Sequence, residues 1–313
     1  MKYSEKILKR FIKDYSLPIH IPTEEMINYY IDLYDPVFNS KEKWNMFTTE
    51  LGKFKFEEEF LSAEHEIITK IIRGIEENPI YQEFISCEMD AYMPIHKDIE
   101  GVPFVKTVNL YTPSNNGKYF ISIDMKKANY QALKMFSSSL VFNTNTYEEM
   151  VAKFTDSEYF KNSKHIRQVV FGQLNMGRIT RQERYLNEKV LKYILRTGYP
   201  KDKIITFTTD EIIIECTPQM FLGTKGCEFL AKDIYERIGI EVKVEDFRLK
   251  YIGNDTYIKE HDEGIPPTFK GGSVTYFPQA YKAYMGLPLE ERDMYFRYED
   301  QIAEFIKPME WLV

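Results

Sequence analysis

Cysteine is scarce in this chain: Cys87, Cys216 and Cys227 are the three among 313 residues. Their spacings match no metal-ligand pattern and leave an odd thiol in any disulfide scheme. That excludes a disulfide-stapled scaffold and leads us to expect a reducing compartment, the cytoplasm of a cell or of an infected host. The five histidines, His20, His65, His96, His165 and His261, contain no i, i+4 pair, which argues against a helical zinc site. His96-Lys97-Asp98 and His261-Asp262-Glu263 are the places where a histidine stands near acids. No apolar run reaches membrane-spanning length, so no membrane partner is expected. Positive charge is also in deficit. The formal net charge of −7 argues against coating nucleic acid with the whole surface, yet leaves room for a local basic groove. There is no Gly-x-Ser-x-Gly, no phosphate loop ending in Gly-Lys-Ser/Thr, no dinucleotide fingerprint, no internal repeat and no low-complexity linker.

What is abundant is Lys, Ile, Tyr, Phe and Asn, a composition that hints at an AT-rich coding genome such as those of many bacterial viruses. The length suits one large domain or two of ordinary size. Helical spacing runs through 24–85, in Met26-Tyr29-Tyr30-Leu33 and in the apolar series from Phe60 to Ile75, with breaks at Asp35-Pro36 and Asn78-Pro79. The alternating segment 105–111 reads as a strand, Ser114-Asn115-Asn116-Gly117 as a turn, and 118–124 as a central strand ending at Asp124 before a helix over 125–136. A helix is expected over about 226–238, then a hairpin with arms 241–251 and 256–260 turned at Gly253-Asn254-Asp255. The tail, with Pro266-Pro267 and Gly271-Gly272, reads as a mixed aromatic and acidic helix over about 290–306.

Between these elements, residues 161–203 hold eleven Lys and Arg against Glu183, Glu188 and Asp202, an excess of eight positive charges in an acidic chain. Lys164, Arg167 and Arg178 of this segment are candidates for contact with a polyanion. The run from Ile204 to Glu215 places Asp210-Glu211 at the centre of an otherwise apolar and β-branched stretch. A buried strand cannot hold two adjacent acids, so the run is read as a hairpin with arms 204–208 and 212–216 and the acidic pair at its tip. The plain alternative is a type I′-like acidic turn, and for Asp124 a helix N-cap. Two carboxylates at strand ends are also what a two-metal phosphoryl-transfer site requires, because hard Mg²⁺ or Mn²⁺ takes oxygen ligands.

Taken in order, these motifs resemble those of palm-domain polymerases, with wording closest to the family A DNA polymerases. The first motif, an apolar strand ending in Asp and then a helix, is matched by Ile121-Ser122-Ile123-Asp124-Met125-Lys126-Lys127-Ala128-Asn129-Tyr130. The second, a basic residue followed by three residues and Phe-Gly, is matched by Arg167-Gln168-Val169-Val170-Phe171-Gly172, and the third by Thr209-Asp210-Glu211-Ile212-Ile213-Ile214-Glu215. Thr209 stands where the family usually has His, Asn129 where it has an acid, and Asn175-Met176 where it has Tyr-Gly. The interval from Phe171 to Asp210 is short, as in reverse transcriptases.

The resemblance implies an α+β fold: a mainly helical region 1–112, a palm-like antiparallel sheet within 113–260 carrying a basic, fingers-like helical insertion at 155–203, and an aromatic and acidic tail 261–313. It implies metal binding by Asp124 and Asp210, support from Glu211, a grip on a nucleoside triphosphate by Arg167, base stacking by Phe171, and screening of the sugar by Asn129 or Tyr130. Nucleic acid, DNA or RNA, would be the second substrate. Competing readings are a metal-dependent nuclease using the same acids, a non-catalytic nucleic-acid-binding module, and a virion or assembly protein. The binding module would hold nucleic acid or an acidic partner through the basic segment, and in the assembly protein the aromatic tail (Tyr276, Phe277, Tyr281, Tyr284, Tyr295, Phe296, Tyr298) forms an interface, the same rings being able to stack bases.

Overall fold

A computed structural model describes residues 3–87, 107–262 and 264–313. His96-Lys97-Asp98, the first two residues of the 105–111 segment and Glu263 lie outside the described residues. The chain forms two compact units, each discontinuous in sequence: Met1–Glu57 with Tyr111–Lys118 and Arg248–Val313, and Glu58–Leu110 with Tyr119–Phe247.

The first unit begins with α1 (Glu5–Asp14), α2 (Glu24–Phe38) and α3 (Ser40–Leu51). Local chemistry sets their ends. Ser4 and Thr23 accept the third helical amides of α1 and α2, and α2 stops where Asn39 takes the left-handed conformation at φ 49°.

The second unit holds α4 (Glu57–Glu76, from Glu58) and α5 (Pro79–Ser86), the latter opened by an Asn78 cap with proline in its first turn. There follow β1 (Tyr119–Met125), α6 (Ala128–Phe136), α7 (Tyr147–Ala152), α8 (Glu158–Lys161), α9 (Lys164–Gln173), α10 (Met176–Arg196), β2 (Ile204–Phe207), β3 (Glu211–Cys216), α11 (Gly223–Ile238) and β4 (Val242–Gly253). The strands lie side by side in the order β2-β3-β1-β4, with β1 antiparallel to β3 and β3 antiparallel to β2. Reduced to the elements that frame the sheet, this is a β-α-β-β-α-β chain in split β-α-β order.

Strand alternation decides what each face of that sheet carries. Ile121, Ile123 and Met125 of β1 and Ile212 and Ile214 of β3 enter one core with Leu186, Val190 and Ile194 of α10 and Ile234 of α11. The opposite parity, Phe120, Ser122 and Asp124 beside Glu215, Ile213 and Glu211, faces the other way. The N-terminus of α11 has no cap from Leu222. The carboxylate of Asp246 on β4, 5% exposed, accepts the amides of Leu222 and Gly223 at 2.6 and 2.7 Å instead.

In the first unit the residues of β4 from Arg248 pair with β5 (Thr256–Glu260), which pairs with β6 (Thr268–Gly271). Asn254 and Asp255, at φ 48° and 53°, form the expected tight turn between β4 and β5, with both central residues left-handed. Then come α12 (Phe277–Met285), β7 (Tyr295–Tyr298) and β8 (Gln301–Glu304). The last pair corrects the helix expected over 290–306. Tyr295, Phe296 and Tyr298 favour extended backbone, and Glu299-Asp300, at φ 45° and 63°, turn the chain into a hairpin. The tail aromatics also serve the interior: Phe277 and Tyr281 are buried, and the Tyr284 hydroxyl donates to Glu260. Among the described residues no helix is long and apolar enough to cross a membrane.

Candidate functional site

The hairpin of β2 and β3 forms where the sequence places it, with a shorter tip than expected. The Thr208 amide donates to the Glu211 carbonyl at 2.9 Å and the Glu211 amide to Thr208 Oγ1 at 3.1 Å, so Thr209 and Asp210 are the central turn residues. Neither has a positive φ, and Glu211 is already the first residue of β3. The acidic pair is therefore split between turn and strand, with Asp210 in the turn and Glu211 on β3. β2 carries a register shift between Ile204 and Thr206, away from the turn.

Helix α10 pins this tip from below. Asn187, fully buried, donates to the Thr208 carbonyl at 3.0 Å, and the Arg184 guanidinium lies 3.9 Å from the centre of the Phe207 ring. On the outer edge of β2, the Val108 amide donates to the Ile205 carbonyl and Thr107 Oγ1 to that of Phe207, so this part of the 105–111 segment runs along β2 without being a regular strand.

Across the sheet, β1 meets β3 with Asp124 directly opposite Glu211, and the Met125 amide donates to the Asp210 carbonyl at 2.9 Å. Three acidic residues the sequence singled out, Asp124, Asp210 and Glu211, thus stand near one another at one end of one sheet. Asp210 is exposed, while Asp124 and Glu211 are half-buried. The buried Ser122 hydroxyl donates to Glu211 Oε1 at 2.7 Å, which fixes the rotamer of that carboxylate.

A fourth acid, within the basic segment, stands near Asp210. Glu183 of α10 is 6% exposed and accepts a hydrogen bond from Asn129 of α6. Burial, then the negative charge of Asp210, push its carboxyl up to about 7, and the Asn129 bond opposes them. The signal was present in the pattern: Glu183 falls on the apolar stripe Ile179, Leu186, Val190 and Ile194, where an acid needs a reason.

The remaining expected residues divide. Asn129 contacts Glu183, the neighbour of Asp210. Tyr130 is buried with its hydroxyl on the Thr144 carbonyl at 2.8 Å, so its polar end is already engaged inside the protein. Phe171 is a core residue, 1% exposed and packed 6.4 Å from the Tyr147 ring, which corrects its reading as a base-stacking surface. Its position on the inner face of α9, beside Ile166 and Val170, is the reason. Arg178 donates to the carbonyls of Phe84 and Cys87 and closes the end of α5, a structural task in place of polyanion contact. Arg167 stands over the Tyr147 ring at 5.9 Å, and Lys164 is exposed in the first turn of α9.

Carboxylate oxygens such as those of Asp124, Glu211 and Asp210 are the donor type a Mg²⁺ or Mn²⁺ ion takes, and the repulsion between Asp210 and Glu183 is of the kind a bound cation relieves. Among the described residues, no group of three or more His, Cys, Asp or Glu side chains is placed to hold a metal ion. Scans of protein-family models, curated proteins and solved structures found no match to the chain.

Proposed function

We propose that this chain is a metal-dependent nucleotidyltransferase with a palm-like scaffold, a compact nucleic-acid polymerase that adds nucleotides to a 3′ end. The observation that carries the reading is the register of β1 on β3, with Asp124 facing Glu211 and Asp210 in the adjoining turn. A sheet with helices against one face and acids at one end of the other is consistent with such a scaffold.

In this reading Asp124 and Asp210 hold Mg²⁺ or Mn²⁺. Glu211, oriented by Ser122, stands beside Asp124 as a further oxygen donor. When bound, the ion supplies Lewis-acid activation of a hydroxyl and neutralises charge on a phosphoryl group. The chain's own contribution is position: Asn187 holds the turn, and Asn129 holds Glu183 behind Asp210. Exposed Lys164, Arg181 and Arg196 are the side chains of the basic segment suited to contact with nucleic acid or a triphosphate.

The purified chain supplied with Mg²⁺ or Mn²⁺, labelled nucleotides and a primed template should extend the primer. Asp124→Asn and Asp210→Asn should each reduce extension by about a hundredfold or more, the scale of losing a charge-stabilising group. Undiminished extension by Asp210→Asn refutes the assignment. Shortening of the nucleic acid without nucleotides identifies a nuclease instead, and salt-sensitive binding that needs no metal and survives both substitutions identifies a binding module.

A further inference from the structure

Two side chains of the first unit form an ion pair with almost no access to solvent. Lys282, on α12, and Asp293, in the 3₁₀ turn Glu291–Met294 before β7, are 3% and 0% exposed, and Lys282 Nζ lies 2.6 Å from Asp293 Oδ2. Short-range bonds fix the acid. The Glu290 amide donates to Oδ2 at 2.8 Å in a capping box, and the buried Gln279 side chain donates to the Asp293 carbonyl at 3.1 Å. Tyr29 of α2 donates to the other carboxylate oxygen, Oδ1, at 2.5 Å, and its ring centre is 5.4 Å from the ammonium. Tyr30, Tyr34 and Tyr281, all buried, continue the aromatic surroundings through ring contacts of 5.2 to 5.4 Å.

Each charge of such a pair carries a desolvation cost that a neutral group does not. An amide joining Nζ to Cγ would remove both charges, and the contacts already present would satisfy it: Tyr29 at its oxygen, and Glu290 Oε1, 3.0 Å from Nζ, at its N–H. Glu290 is also placed to move protons. Its side chain is 48% exposed, at the edge of the buried pair, and Arg292 Nε holds its second oxygen at 3.1 Å. The bond from Lys282, with the charge of Arg292 beside it, holds this carboxyl below the usual range, so it stands as an ionised acceptor.

We infer that Lys282 and Asp293 condense to an intramolecular isopeptide bond, an autocatalytic modification that ties α12 to the turn before β7. One proton passes from Nζ to Oδ2 along the 2.6 Å contact, leaving a neutral amine and a carboxylic acid. The lone pair of the amine attacks Cγ, and Tyr29 donates to the oxyanion formed at Oδ1. Glu290 takes a second proton from the nitrogen and returns it to Oδ2, the Cγ–Oδ2 bond breaks, and water leaves. The third proton remains as the amide N–H. Ammonium and carboxylate thus give an amide and one water, with no oxidant, cofactor or further reactant. All of these residues belong to the first unit, so the reaction is independent of Asp124, Asp210 and the polymerase reading.

Mass spectrometry of the purified chain under denaturing conditions tests the inference. The mass should fall short of the sequence mass by one water. Trypsin should leave Lys282 uncut, and the peptide ending at Arg292 should be found joined to the one running from Asp293 to Arg297. Glu290→Gln, at a half-exposed position, should slow the condensation about a hundredfold or more and be recovered at its own sequence mass, with an unchanged circular dichroism spectrum. Lys282→Arg, which keeps the charge without the nucleophile, should also keep its sequence mass. Recovery of the wild-type chain at its full sequence mass, a water lost at another position, or undiminished condensation in Glu290→Gln overturns the inference.

Discussion

Replacement of Glu183 by Gln isolates the electrostatics beneath the hairpin. In the folded chain this carboxyl is raised from an ordinary 4.5 to about 7, first by burial and then by Asp210, so the native state holds its proton more tightly than the unfolded chain does. The sign follows from linkage: the unfolded chain binds fewer protons here between those two values, and stability falls as pH rises through that window. Below about pH 4.5 the group costs nothing. Above about pH 7 it stands ionised in both states, and the native state is weaker by about 3 kcal/mol, taking 1.36 kcal/mol for each tenfold change in proton affinity. Glutamine keeps an oxygen for the Asn129 amide and removes the titration. Urea unfolding followed by circular dichroism, in EDTA across about pH 5 to pH 8.5, should show Glu183→Gln ahead of wild type by under about 1 kcal/mol at the acid end and by about 3 kcal/mol at the alkaline end. Parallel pH profiles for the two proteins would mean that Glu183 ionises as a solvated carboxylate does, and the account of the cluster would fail.

Two predictions concern the first unit. Lys282 and Asp293 form an ion pair at 2.6 Å with side chains 3% and 0% exposed, and Tyr29 donates to the same carboxylate at 2.5 Å. Lys282→Met strands that buried charge and should cost about 3–5 kcal/mol by chemical denaturation; a cost below about 1 kcal/mol would contradict the burial. Gly271 sits at φ 68°, where an added Cβ would meet the Asp255 carbonyl oxygen at 2.2 Å. Gly271→Ala should therefore lose about 2 kcal/mol or more and speed amide exchange in β5 and β6, and unchanged exchange would count against this close approach.

Local signals carried much of the architecture. The β-branched run around Asp210-Glu211 and the asparagine and aspartate at positions 254 and 255 each announce their element through short-range preference, and each element forms. Where local preference was ambiguous the reading failed. The 290–306 segment has helical acids and extended-chain aromatics side by side, and pairing of Tyr295–Tyr298 with Gln301–Glu304 settles it as a hairpin. That Phe171, Tyr130 and Arg178 are engaged inside the protein was not legible for a related reason: motif spacing does not reveal which neighbours cover a side chain.

The sequence by itself determined that acids stand at a strand end and at a hairpin, because alternation and turn chemistry act over a few residues. Only the tertiary structure decided that Asp124 faces Glu211, that Glu183 arrives from a helix to share the charge of Asp210, and that β4 gives its residues to two units. Register, burial and electrostatic coupling depend on which distant segments pack together, and that is set by the whole core at once.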